Sequence, residues 1–217
     1  MVKEAVIFDM DGVISDSEYV NILAKHKLLQ SLGIEVDWNY HDQFLGTTYE
    51  FMWEKMKEEF HLPEEVSDYV QAAESQRDKL ILRDGLRPIP GVVELIQRLY
   101  RAGIPMAVAS SSSKRNIISN LSMLGIYRYF QEIISGEECK NGRLDSEIFL
   151  KAASMLRKEP ENCVVIEDSI HGVQAAKTAG MKCIGFANPK AADLDFSLAD
   201  LVVSDFNTLT VERLMQA

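Results

Sequence analysis

The chain has 217 residues, 47% hydrophobic and 26% charged, with 23 Lys and Arg against 33 Asp and Glu, for a net charge of -10. A chain of this length and composition buries a sizeable core without staples, which excludes a disordered or fibrous protein. The acidic balance, with a pI of about 4.9, excludes a nucleic-acid partner, whose phosphates are held by clustered Lys and Arg.

No apolar run approaches the roughly 20 residues that span a bilayer, so no membrane partner is expected. The start, Met1-Val2-Lys3-Glu4, lacks the long apolar stretch of a signal peptide. The three cysteines, Cys139, Cys163 and Cys183, are odd in number and widely spaced. They read as reduced thiols, and the expected compartment is the cytoplasm.

The first apolar run, Ala5 to Phe8, reads as a buried strand. From about Ser17 to Arg87 the pattern turns helical, over Tyr19 to Leu32, Tyr49 to Phe60 and Glu64 to Leu82, with turns at Gly33, Gly46 and Pro63. The exit, Asp84 to Gly91, is rich in Gly and Pro and reads as a hinge. Strand-like runs then recur at Met106 to Ala109, Cys163 to Ile166, Cys183 to Phe186 and Leu201 to Val203. Amphipathic stretches lie between them at Val92 to Ala102, Ile148 to Leu156 and Gly172 to Ala179. The alternation predicts an α/β fold: a doubly wound, mainly parallel sheet in a Rossmann-like core, with an all-helical insert after the first strand. Residues 1–16 and 88–217 form the expected core, and 17–87 the insert.

In such sheets ligands bind at the carboxyl ends of the strands, and the strong polar features of this chain sit there. Asp9-Met10-Asp11-Gly12 follows the first strand, Ser110 to Ser113 follows Met106 to Ala109, and Glu167-Asp168-Ser169 follows Cys163 to Ile166. Taken singly, an Asp-x-Asp pair is commonly a turn and a serine run a helix cap. Taken together, Phe8-Asp9-Met10-Asp11-Gly12-Val13-Ile14, Ala109-Ser110-Ser111-Ser112, Ile166-Glu167-Asp168-Ser169 and Gly172-Val173-Gln174-Ala175-Ala176 resemble the haloacid dehalogenase-like superfamily. The insert, with its Leu45-Gly46-Thr47-Thr48 turn, resembles the small cap of the β-phosphoglucomutase and sugar-phosphate phosphatase subfamily.

The resemblance implies an Mg²⁺-dependent phosphatase acting on a small phosphorylated metabolite, a sugar or polyol phosphate, through an aspartyl-phosphate. Asp9 is then the nucleophile, and Asp11 the general acid and later base. Mg²⁺, which prefers hard oxygens, would take Asp9, the backbone carbonyl of Asp11 and Asp168, with Glu167 supporting them. Ser110 and the Ser111 backbone would cradle the phosphoryl oxygens. Small cap-bearing members are commonly monomers, and a monomer is expected.

The chain departs from the family at the usual Lys-Pro-x-Pro-like segment. Aligning Glu147-Ile148-Phe149 with the family's acidic-Ile-Phe turn puts Arg143 in the place of the Lys, and both prolines are missing. Arg143 is taken as the phosphate cation, with Lys140 as a substitute in a remodelled loop. Arg77, in the last insert helix, is either a ligand for a second anionic group on the substrate or an exposed helical arginine. The mutase pattern has a His and an Arg where this chain has Asn21 and Tyr49, so the reading leans to phosphatase. β-Phosphoglucomutase and a catalytically impaired phosphate binder stay as alternatives. The histidines lack zinc spacing, His171 reads as a surface residue, and Trp38 and Trp53 as packing for the insert.

Overall fold

Side chains alternate across a strand with a period of two, and the first strand obeys this on both faces. In a computed structural model, which describes residues 3–44, 47–139, 146–188 and 195–216, β1 (Ala5–Phe8) lies at the centre of a six-stranded sheet. Val6 and Phe8 enter one hydrophobic cluster and Ala5 and Ile7 the other, so no solvent-facing position remains. Such strands read as continuous apolar runs.

Both walls are helical. Val6 and Phe8 face α4 (Val92–Arg101), through Val92, Leu95, Ile96 and Leu99, together with α5 (Lys114–Met123) and the short α8 (Val211–Met215). Ala5 and Ile7 face α6 (Ser146–Met155) and α7 (Ile170–Thr178), through Phe149, Ala152, Val173 and Ala176. Each large apolar side chain so buried contributes about 1.5–3 kcal/mol.

The remaining strands are β2 (Met106–Ser110), β3 (Glu132–Ser135), β4 (Cys163–Glu167), β5 (Lys182–Phe186) and β6 (Leu201–Val203), all paired in parallel in the order β3-β2-β1-β4-β5-β6. This is the doubly wound order, whose ligand crevice opens where the winding reverses, between β1 and β4. Phe8 pairs with Ile166, so Asp9 and Glu167 emerge side by side at that point.

Three elements were not expected. The strand β3, Glu-Ile-Ile-Ser, is short and half polar, as an edge strand tolerates. The helix α5 carries its apolar face on Ile117 and Leu121 alone, and α8 is a single turn.

Between β1 and α4 the chain forms α1 (Glu18–Ser31), α2 (Tyr49–Phe60) and α3 (Val66–Asp84). They enclose a separate cluster of Leu29, Phe44, Met52, Trp53, Met56, Leu62, Tyr69 and Ala73. Trp53 is buried and stacks on Tyr69, whereas Trp38 is partly exposed beside Tyr19 and His26. The two crossings to this helical unit pair with each other: Asp16 N–H donates to the Arg87 carbonyl at 2.9 Å and Ile89 N–H to the Ile14 carbonyl at 2.9 Å. A short antiparallel ribbon therefore joins insert and sheet.

Candidate active site

Three carboxylates converge at the crevice. Oxygens of Asp9, Glu167 and Asp168 lie within 4.8 Å of one another. Asp9 is 5% exposed and Glu167 1%. Burial, then the charges of Glu167, Asp168 and Asp11, raise the Asp9 carboxyl well above the usual carboxylate range. Burial likewise raises Glu167, against the lowering effect of the Ser169 N–H that it accepts.

Two glycines permit this crowding. A β-carbon on Gly12 would sit 1.8 Å from Asp168 Oδ2, so that carboxylate lies directly against the turn after Asp11. A β-carbon on Gly172 would sit 2.0 Å from the Glu167 carboxyl carbon, so Glu167 is folded onto the first turn of α7. The donor set is hard oxygen, anionic and close-packed, which fits Mg²⁺.

Asp11 stands apart from this trio and is held differently. Its Oδ1 accepts from the Ser17 hydroxyl and, at 3.0 Å, from the Asn21 side-chain amide; its Oδ2 accepts from the Ser112 hydroxyl at 2.6 Å. Ser17 and Asn21 are four residues apart at the start of α1 and share one face. Neither they nor Ser112 was anticipated as a partner of Asp11. The helical spacing of Ser17 and Asn21 was the available signal.

The serine run closes the third side. Ser110 is buried at the end of β2, where its Oγ accepts from Ser112 N–H at 3.2 Å. Ser113 caps α5 by accepting from Asn116 N–H. Ser111 lies under the insert: a β-carbon on Gly136 would meet Thr48 Cγ2 at 2.9 Å and Ser111 Cα at 3.2 Å. Three chain segments thus touch where only a glycine fits.

Across the seam, α3 contacts α5 through side chains. Glu74 accepts from Ser113 Oγ at 2.7 Å and from Asn116 Nδ2 at 2.9 Å, and Asp78 meets Arg115 at 3.0 Å. Arg77 is not an exposed helical arginine: it is 2% exposed. Its guanidinium donates to Asn21 Oδ1 at 2.8 Å and Asn120 Oδ1 at 2.7 Å, with Asp78 at 3.5 Å. Its partners are protein side chains, one of which holds Asp11. Tyr49 sits among Asp11, Arg77 and Glu74, and burial raises its phenol above the ordinary value. Buried Lys25, one turn beyond Asn21, places its ammonium 5.6 Å from the Tyr49 ring centre.

Arg143 and Lys140 lie outside the described residues. His171 is exposed on the first turn of α7, as a surface residue would be. No helix among the described residues is long and apolar enough to cross a membrane.

The chain is 32% identical over 181 residues to a phosphorylated carbohydrates phosphatase of Thermotoga maritima, covering 83% of each chain. It is 32% identical over 220 residues to a β-phosphoglucomutase of Bacillus subtilis, covering 97% of this chain and 93% of the other. Among solved structures, CbbY of Rhodobacter sphaeroides in complex with xylulose-(1,5)bisphosphate superposes with a TM-score of 0.87 at 25% identity, over 99% of both chains. The family model of the haloacid dehalogenase-like hydrolases matches residues 6–186, from β1 through the acid trio to the end of β5. Fold, crevice and sequence agree, and the chain belongs to the haloacid dehalogenase-like hydrolases.

Proposed function

We propose that the protein is an Mg²⁺-dependent phosphatase that hydrolyses a small phosphorylated metabolite, a sugar or polyol phosphate, through an aspartyl-phosphate on Asp9. The observation that carries the reading is the division of labour among the carboxylates. Asp9, Glu167 and Asp168 crowd together in a buried set, while Asp11 is held apart by Ser17, Asn21 and Ser112.

Phosphate monoester hydrolysis is among the slowest uncatalysed reactions, so the site must lower the barrier by roughly 20 kcal/mol. An Asp9 oxygen attacks phosphorus, and the bond to the leaving oxygen breaks as Asp11 gives that oxygen its proton. Asp11 then takes a proton from water, whose oxygen attacks phosphorus. The bond to Asp9 breaks, inorganic phosphate leaves, and Asp11 is again protonated. Asp9, Asp168 and the Asp11 carbonyl, with Glu167 behind them, would hold Mg²⁺, whose positive charge would let an anionic phosphate approach an anionic nucleophile.

Ser110 donates its hydroxyl to a phosphoryl oxygen, the Ser111 backbone completes the cradle, and Arg143 supplies the fixed cation. Arg143→Ala should lower turnover strongly, and unchanged turnover removes that residue from the site. The resemblance to small cap-bearing members suits a monomer, and Cys139, Cys163 and Cys183, present as thiols rather than disulfides, suit the reducing cytoplasm. The relatives named for phosphorylated carbohydrates and for a phosphoglucose mutase support the substrate class.

Mutase activity is favoured by the second of those relatives and opposed by Asn21 and Tyr49, where the mutase pattern has His and Arg. The test is incubation with Mg²⁺ and β-glucose 1-phosphate. Free phosphate supports hydrolysis, and glucose 6-phosphate overturns it in favour of the mutase.

A further inference from the structure

Arginine carries only donors, and a primary amide carries an acceptor and a donor on one rigid plane. Asn21 uses both: its Oδ1 accepts from Arg77 Nε at 2.8 Å and its Nδ2 donates to Asp11 Oδ1 at 3.0 Å. The first contact dictates the second. Because Arg77 can only donate, the Asn21 oxygen must face it, which turns the amide N–H toward the carboxylate. Without that donor the amide is free to rotate by a half turn and present its oxygen to Asp11, which replaces an attraction to the ionised carboxylate with a repulsion and draws the proton of the acid form toward Asn21 instead of the leaving group.

Arg77 is itself fixed from the other side of the seam. Its Nη2 donates at 2.7 Å to Asn120 Oδ1 on α5, and Asn120 Nδ2 is left buried with no partner among the described residues. The orientation of Asn120 is therefore set by Arg77 rather than by its own amide nitrogen. Among the described residues the only carboxylate on the guanidinium is Asp78, at a long 3.5 Å. A buried arginine whose two short bonds go to neutral amides is an expensive arrangement if packing were its only role, since desolvating a charge is costly.

We infer that Arg77 is a positioning residue for Asp11, acting through Asn21 and anchored in the core by Asn120. The relay runs from core to insert and back to core, so it is complete only when α1 and α3 are seated on the strand ends. The inference rests on the reading of Asp11 as the general acid, and it replaces a direct contact between Arg77 and substrate.

The test measures kcat/KM for a series of aryl phosphates, from p-nitrophenyl to p-methoxyphenyl phosphate, with Mg²⁺. A good leaving group departs with little protonation, whereas a basic one needs the acid. For Arg77→Met the expected loss is severalfold on p-nitrophenyl phosphate and about tenfold to a hundredfold on the most basic leaving group, part of the roughly 10²–10⁴-fold that proton transfer contributes, because Asp11 keeps its bonds to Ser17 and Ser112. The dependence on leaving-group basicity therefore steepens. Asn120→Ala should steepen it less, and Arg77→Lys should restore part of the loss, because an ammonium can serve Asn21 without also reaching Asn120.

An equal loss across the series in folded Arg77→Met and Asn120→Ala overturns the relay while leaving the phosphatase standing. A rise in KM alone, at constant kcat, also overturns it by making Arg77 a substrate ligand. A wild-type protein that hydrolyses none of the esters overturns the phosphatase reading first, and the relay with it. Should Arg77→Met fail to fold, Asn120→Ala carries the same comparison.

Discussion

The sheet and the helical insert face each other across one seam and are built on opposite rules. Strands β1, β2 and β4 are wholly buried, and their polar residues wait until the ladder ends, at Asp9, Ser110 and Glu167. The insert places buried polar groups within its helices: Asn21 and Lys25 in α1, Arg77 in α3, and His41 between them in sequence. A strand end fixed on both sides by parallel neighbours holds a carboxylate against the repulsion of its neighbours. A helix face that docks against those strand ends contributes hydrogen bonds that form and break as a set. The sheet is thus the place for charge that must not move, and the insert for groups that orient it.

The largest effect should come from the sheet side. Asp9→Asn removes the proposed nucleophile, and turnover of a chromogenic phosphate ester should fall by at least about 10⁴-fold. The same variant should be more stable than wild type in the absence of metal. The Asp9 carboxyl is held high by burial and by the charges of Glu167, Asp168 and Asp11, and a neutral amide relieves that conflict. Measured by chemical denaturation in a chelator, a variant less stable than wild type would sink the claim that the cluster is strained.

How much of this could be read from residues alone divides along the same line. The strands announced themselves because burial on both faces leaves an unbroken apolar run, as in Val164-Val165-Ile166. The site followed, because polar residues directly after such runs sit at one sheet edge. The edge strand β3 escaped because Glu132 and Ser135 interrupt it, as a one-sided neighbour permits. The grip of Ser17, Asn21 and Ser112 on Asp11 is a matter of side-chain direction across a seam between distant segments. Sequence spacing puts Ser17 and Asn21 on one helix face but does not encode what that face meets. Arg77 was expected to meet either substrate or solvent, and a third option, a donor between two asparagines, needed the docked helices to be seen.

The insert should lose stability in mild acid before the sheet does. His41 is buried, its Nδ1 has no partner among the described residues, and its Nε2 lies 3.4 Å from His26 Nδ1. Burial, then the charges of Lys25 and His26, lowers it to about 4. The unfolded chain, with an ordinary value near 6.5, takes up the proton first. The stability that depends on a neutral His41 is complete above about pH 6.5 and is lost as the pH falls toward 4, by roughly 3 kcal/mol over that window. Denaturation of wild type and His41→Leu at pH 7 and pH 5 checks this. The difference between the two proteins should shrink or invert at the lower pH, and parallel profiles would remove His41 as the cause.

Back in the core, Gly172→Ala tests how closely the acid trio is packed. The new β-carbon would lie 2.0 Å from the carboxyl of buried Glu167, which would have to swing away from the first turn of α7. A loss of about 1–3 kcal/mol is expected from overpacking, together with weaker Mg²⁺ binding by calorimetry as Glu167 is displaced. Unaltered metal affinity would separate Glu167 from the metal site.

The smallest effect concerns two arginines that meet one aspartate from opposite sides of the seam. Arg77 Nη1, on a buried side chain, lies 3.5 Å from Asp78 Oδ1, and Arg115 Nη2 lies 3.0 Å from Asp78 Oδ2 with its side chain 73% exposed; Asp78 itself is 39% exposed. Distance alone would rank the Arg115 pair higher. Solvent reverses the order, because water screens an exposed pair and its long side chains lose freedom in forming it, leaving about 0–1 kcal/mol. Arg115→Ala should therefore change stability by less than about 0.5 kcal/mol, with even that difference fading at high salt, and should leave the aryl phosphate dependence as in wild type. A steeper dependence in Arg115→Ala would mean that docking of α3 as a whole, rather than the donor that orients Asn21, controls Asp11.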